Sequence, residues 1–319
     1  MPASAPYAPR PPLSRRTALR ATAATVAAGV PAAVGAAPAA SALSPATATA
    51  AAPSRGGPDN GRELRAMSFN LRYAAETGPH PWSGRRPVMR RLLRRERPHL
   101  LGTQEGLHGQ LRDIADDLGP RYAWIGTGRE GGSRGEFMAV FYDVHRLVPE
   151  EYDHFWLSGT PALIGSATWG NTVVRMATWV RFADRRTGRS FYVLNTHLDH
   201  LHQGSRERGA ELITSRLRGL DPALPRVVTG DFNVPAHRNP VYAAMLEGGV
   251  LADTWDTAAA RGPFHGTFHG FRPPVPGGDR IDWILASPSV RTVRADINTF
   301  SDEGRFASDH LPVQALLDL

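Results

Sequence analysis

The stretch Val227–Pro235, VVTGDFNVP, shows a pattern that recurs along the chain: an apolar run that stops at a polar residue able to do chemistry. Asn70 closes MSFN, Glu105 closes LGTQE and His197 closes VLNTH. Asp231 and Asn233 follow VVTG, Asp282 stands inside RIDWIL, and Asp309 and His310 stand in SDHLPV. Runs this short, rich in β-branched and aromatic residues, read as strands. A buried strand has no structural need of a carboxylate or an imidazole, and a single Asn or Asp at its end is an ordinary turn former. An ordered series of them is different, because rigid sheets build their sites at strand ends. Two helical stretches, Arg85–Pro98 and Ser205–Leu220, interrupt the strand-like runs. Many strands with few helices between them predict an α/β fold of two packed, mostly antiparallel mixed sheets flanked by helices.

Residues 1–62 stand apart from this pattern. They are dominated by Ala, Pro, Thr and Ser and hold too little apolar bulk to offset the entropy of ordering. Within them SRRTALR (Ser14–Arg20) precedes a weakly apolar run that ends at Ala40-Ser41-Ala42. A twin arginine, a mild apolar stretch and an A-x-A site predict a Tat-type signal peptide over 1–42 and secretion of the mature protein. A disordered linker is expected over 43–62, and the folded domain over 63–319. Gly and Pro break the apolar run, and no later segment approaches the length of a membrane-spanning helix, so no transmembrane segment is expected in the mature protein.

The formal charge of +7 is concentrated in the leader. Six arginines against one acid in residues 1–62 leave 31 arginines against 29 acids in 63–319, a net of +2. Such a domain is a weak electrostatic magnet for nucleic acid. The local exception is RRPVMRRLLRRERP, with seven arginines around Val88, Met89, Leu92 and Leu93, which reads as a helix with one apolar stripe and a solvated arginine face. Cysteine is absent, which excludes disulfides, thiolate metal sites and cysteine nucleophiles.

Asn70, Glu105, Asp231, Asn233 and Asp309 offer only oxygen ligands, a set that selects a hard cation, magnesium or manganese, over zinc. His197 and His310, with Glu136 and Asp282, add the proton chemistry that phosphoester hydrolysis requires. THLDHLH raises a rival zinc cluster of His197, His200 and His202, but extended spacing places the first on the opposite face from the other two.

The ordered series SFN, QE, NTHLDH, GDFN, RIDWI and SDH, spread from Leu64 to Leu319, resembles the endonuclease/exonuclease/phosphatase superfamily, in particular a secreted bacterial subset. The resemblance implies a four-layer α/β sandwich and a magnesium-dependent phosphoester hydrolase, expected as a monomer. It implies that Asn70, Glu105 and Asp309 bind the cation, and that Asp231 and Asn233 orient water and phosphate or hold a second cation. His310 is implied as general base held by Asp282, with His197 against the phosphate. Glu136 matches an acid that pairs with the histidine at the position of His197, and Arg175 falls where related enzymes place a phosphate-contacting arginine. His269, between the phenylalanines of GTFHGF, stands as a candidate pocket wall. The leading substrate is a small or lipid-linked phosphate ester. Extracellular DNA or RNA is the alternative, and a catalytically silent binding module is opposed by the intact acid and histidine set.

The leader generates its own test. Arg15→Lys combined with Arg16→Lys should trap the precursor in the cytoplasm, as read by fractionation and immunoblotting. Secretion at the wild-type level would remove the Tat assignment.

Overall fold

A computed structural model of the chain describes residues 61–171 and 173–319. The export signal expected over 1–42, and all but the last two residues of the linker expected over 43–62, lie outside them. The first of two sheets runs, in spatial order, β10 (Ala260–Arg261), β12 (Arg291–Ile297), β13 (Val313–Asp318), β1 (Leu64–Asn70), β2 (Leu100–Gln104), β4 (Val140–Asp143) and β3 (Tyr122–Ile125). The second runs β5 (Leu147–Trp156), β6 (Met176–Asp184), β7 (Ser190–His197), β8 (Arg226–Asp231), β11 (Asp282–Ala286) and β9 (Ala252–Asp253). Neighbours pair antiparallel except β1–β2, β7–β8 and β10–β12. Helices α1 (Trp82–Glu96) and α2 (His108–Leu118) cover the outer face of the first sheet, and α3 (Gln203–Arg218) and α4 (Pro240–Leu246) that of the second. The fold is thus the expected four-layer sandwich. Among the described residues no helix is long and apolar enough to cross a membrane.

The layers follow from strand alternation. Ala66, Val193, Val227 and Ile284 point between the sheets, while Met67, Leu194, Val228 and Leu285, each one residue on, point to the helices. Toward one end of the sandwich the inner row changes character. Ser68 follows Ala66, Gln104 follows Gly102, Asn195 follows Val193 and Thr229 follows Val227, all at 0% exposure for the four polar residues. The Asn195 amide nitrogen donates to Thr103 O (2.8 Å) and Ala139 O (3.0 Å) of the first sheet's side. Its oxygen accepts from Gln104 Nε2 (2.7 Å) and Thr229 Oγ1 (3.0 Å). A Cβ on Gly102 would overlap Thr229 Oγ1, so glycine is what lets the sheets close here. Two residues further along the same row stand Asn70, His197 and Asp231.

Helix α1 buries the expected stripe of Val88, Met89, Leu92 and Leu93. Arg90, Arg91, Arg94 and Arg95 are exposed, the solvated face expected, although several of the helix arginines also have partners. Arg86 pairs with Asp113 (2.7 Å) and Asp117 (2.8 Å) of α2, Arg91 pairs with Asp302, and Arg94 Nε donates to Asp117 O (2.8 Å). Arg85 is 3% exposed and lies in the core. Neighbouring carboxylates and carbonyls therefore pair with part of a face that stays open to solvent, and Arg85 alone departs from it.

A buried histidine gives the fold a pH dependence. His99 accepts the Arg65 N–H through Nδ1 (3.0 Å), with Arg146 Nη1 also 3.0 Å from that nitrogen. Burial, then the charges of Arg65 and Arg146, lowers its pKa from 6.5 to about 2. The folded imidazole stays neutral, whereas the unfolded chain takes up a proton near the ordinary value. Stability is therefore unaffected above that value and falls as the pH drops below it, by about 2 kcal/mol at pH 5. His99→Asn keeps an oxygen acceptor for Arg65 and removes the titration. Urea melts at pH 7.5 and 5.0 should show the wild type losing about 2 kcal/mol more than the variant. Equal losses would contradict the assignment.

Candidate active site

Strand β8 ends inside the second sheet, so Asp231 has neighbours in register on both sides, His197 of β7 and Asp282 of β11. Its carboxylate accepts the Asn233 N–H (2.9 Å) and, from across the sandwich, Asn70 Nδ2 (2.9 Å). His197 Nε2 lies 3.4 Å from it and His310 Nε2 lies 3.8 Å from it. The other ring nitrogen of His310, Nδ1, donates to Asp282 Oδ2 at 2.9 Å. Asn70 Nδ2 also donates to Glu105 Oε1 (3.0 Å), and Glu105 Oε2 accepts the Tyr73 N–H (3.1 Å). Ser308 Oγ donates to Asn70 O (2.7 Å) and so ties the loop bearing Asp309 and His310 to β1. Asn70, Glu105, Asp231, Asn233, Asp282, Asp309, His197 and His310 are thus assembled at one end of the sandwich. Three of the turns that assemble them carry non-glycine residues in the left-handed region: Arg72 (φ 52), Glu105 (φ 62) and Asn233 (φ 54). Such conformations persist where the surroundings over-determine them, and they cluster at functional sites.

Burial, then the charge of Asp282, raises Asp231 to about 7, against the pull of His310, Asn70 and the Asn233 N–H. Burial alone would lower His310, but the charge and hydrogen bond of Asp282, joined by Asp231 and Asp309, raise it to about 10. Burial, then Arg175 and His310, holds His197 well below the ordinary histidine range. His197 is therefore neutral, and its Nε2 accepts from Asn233 Nδ2 (2.9 Å). Acids outweigh cations at this spot, an imbalance that a hard divalent cation would correct, and Asn70, Glu105 and Asp309 supply oxygen donors for one. Asp231, Asp282 and His310 also present ligand atoms within 4.8 Å of one another, a group that could hold a metal ion.

Several expected details are corrected. The Asn70 oxygen accepts the Arg72 N–H (2.9 Å), so its amide faces the acids through nitrogen, and metal ligation by Asn70 requires the amide to turn. Glu136 does not pair with His197. It accepts from Arg129 Nη1 (2.6 Å), lies 4.0 Å from Arg175, and leaves His197 Nδ1 without a hydrogen-bond partner among the described residues. The reason is that Arg129, on the same loop, offers the carboxylate a full charge. His269 anchors its loop, since its ring nitrogens face Arg272 O (2.7 Å) and Ser308 O (3.1 Å). The three histidines of THLDHLH do not gather: His197 meets Asn233, His200 Nδ1 meets Arg175 Nη2 (3.0 Å), and His202 caps α3 by accepting the Ser205 N–H. Arg175 is 3% exposed and sits beside this cluster, with Nε and Nη1 without a hydrogen-bond partner among the described residues.

Asn195 and Arg72 escaped the sequence reading. Asn195 carried a signal, a polar residue two positions before His197 on the same strand face. Arg72 carried none, since an arginine after NL in a surface turn is unremarkable by composition.

The model of the endonuclease/exonuclease/phosphatase family matches residues 67–310. Among solved structures, a mannosyl-6-phosphatase of Bacteroides thetaiotaomicron is 34% identical, with 80% of this chain and 100% of that chain covered and a TM-score of 0.75. An endonuclease/exonuclease/phosphatase from Bacteroides vulgatus is 33% identical, with 81% and 99% covered and a TM-score of 0.76. The human Nocturnin catalytic domain, solved with a bound sulfate anion, shares the fold at 18% identity, with 81% and 93% covered and a TM-score of 0.63. No curated protein matches the chain.

Proposed function

The chain belongs to the endonuclease/exonuclease/phosphatase family, whose members hydrolyse phosphoesters, and from that premise we propose that it is a divalent-metal-dependent phosphatase of small phosphate esters, sugar phosphates first among them. The observation that carries this reading is the buried His310–Asp282 pair, bonded at 2.9 Å, with the free ring nitrogen turned to Asp231. In this reading His310 takes the proton of the attacking water through Nε2. Asp282 holds the ring by Nδ1 and stabilises the imidazolium that forms. Asp231 and Asn233 orient the water and the phosphate. His197, held neutral, contributes a hydrogen bond and Arg175 contributes charge. Asn70, Glu105 and Asp309 would hold magnesium, or manganese in its place, whose charge neutralises the phosphate and offsets the acids that lift His310 out of the range of a base.

Similarity to a mannosyl-6-phosphatase at 34% identity supports a sugar phosphate as substrate. Nucleic acid is the weaker reading, because the arginines of α1 that would track a backbone are largely engaged within the protein. The twin arginine of Ser14–Arg20 supports action outside the cytoplasm.

Phosphate release from mannose 6-phosphate by the full chain tests the proposal. His310→Ala should lower kcat about a thousandfold, and Asp282→Asn by less, roughly thirtyfold. The double variant should be no slower than His310→Ala alone, since the two side chains work as one unit. Strictly additive losses would break the pairing.

A further inference from the structure

Arg85 spends its whole guanidinium on backbone carbonyls, three of them in the turn Leu71-Arg72-Tyr73. Nε donates to His80 O (3.1 Å), Nη1 to Leu71 O (2.7 Å) and Ala307 O (3.0 Å), and Nη2 to Arg72 O (2.9 Å) and Tyr73 O (2.9 Å). All the N–H groups of an arginine are thereby used, and every acceptor is a main-chain carbonyl. Gln110 Nε2 adds a second donor to Arg72 O (3.0 Å). The turn after β1 is fixed on its other side as well, because the Arg72 N–H goes to Asn70 Oδ1 and the Tyr73 N–H to Glu105 Oε2. What this cage holds is an arginine in the left-handed region, φ 52, a conformation that a side chain disfavours.

The Arg72 side chain is 44% exposed. Its guanidinium lies over the Tyr73 ring (5.0 Å), and Nε stands 3.7 Å from Asp309 Oδ2, too far for a hydrogen bond. A cation is therefore held at the edge of a cluster of acids by a strained turn, with its N–H groups uncommitted to a close carboxylate. An acid-rich site that must admit a phosphate dianion needs a guanidinium in such a position, and the planar fork matches phosphate oxygens.

We propose that Arg72 is a phosphate-gripping residue of this site, presented by the Arg85 cage, and that it takes the non-bridging oxygens of a phosphomonoester or of product phosphate. The inference rests on the hydrolase reading above. Three variants of the full chain separate charge from strain. Arg72→Gly removes both, so its melting temperature should be unchanged or higher. Its KM for mannose 6-phosphate and its Ki for inorganic phosphate should each rise roughly tenfold, with a smaller change in kcat. Arg72→Ala should raise both constants likewise. Arg72→Lys should recover part of the loss, since it keeps charge without the fork. Calorimetric titration with inorganic phosphate supplies a readout apart from turnover. KM and Ki within about twofold of wild type in the glycine variant would overturn the inference, as would an altered magnesium requirement with phosphate binding unchanged, which would assign Arg72 to holding Asp309. A wild type that neither releases nor binds phosphate brings down the hydrolase reading, and the inference with it. A wild type that does both, with unaffected Arg72 variants, brings down the inference alone.

Discussion

One asparagine amide holds the two sheets at the distance the site requires. Asn195 donates to the Thr103 and Ala139 carbonyls on the side of the first sheet and accepts from Gln104 and from Thr229 of the second, all in a fully buried layer. The contact exists because position 102 has no side chain. Inside a sandwich an unpaired amide costs about 1–3 kcal/mol, so this network is satisfied in one register and penalised in any other. A slip of one residue would turn each strand's inner row outward. Glu105 follows Gln104 directly, and His197 and Asp231 stand two residues beyond Asn195 and Thr229. The inner row thus passes from apolar packing, through one polar layer, to the acids and imidazoles of the site.

The second constraint is charge. Acids gather where the sheets end, with Arg72 and Arg175 beside them, while buried arginines across the fold are bound to carbonyls and to other acids. Arg85 grips five carbonyls, Arg146 holds Asp184 and the carbonyls of Arg62 and Glu63, and Arg226 binds the carbonyls at the end of α3. A lysine has three donors around one point and could not span such sets, which gives the all-arginine composition structural use at these positions. What remains at the site is an excess of carboxylate that lifts both Asp231 and His310. That excess is the physical reason for assigning a hard cation to it.

The sandwich and the residues gathered at its end were legible because period-2 alternation with a polar stop is a strong local signal. Strand β5 was not, since it lies at a sheet edge and its middle, Glu150-Glu151-Tyr152-Asp153, is exposed with no alternation to read. Helix α2 buries little beyond Leu111 and Ile114 on a polar sequence, too few positions to define a stripe. Glu136 is taken by Arg129, seven residues away on the same loop, and His269 by the carbonyls of Arg272 and Ser308, so spacing along the chain placed each residue near the site without showing what it touches. Arg85 shows the same limit from the other side: a helical pattern that correctly buries Val88 and Leu92 gives no sign that an arginine on the same helix is buried with them.

We propose that this end of the sandwich hydrolyses phosphate esters with a divalent cation among its acids. The most direct measurement is phosphate release from mannose 6-phosphate by the full chain, before and after exhaustive chelation with EDTA, and again after magnesium or manganese is restored. The expected results are activity, its loss on chelation, and its return with either ion. Turnover that persists at the untreated rate in the chelated protein would contradict the proposal.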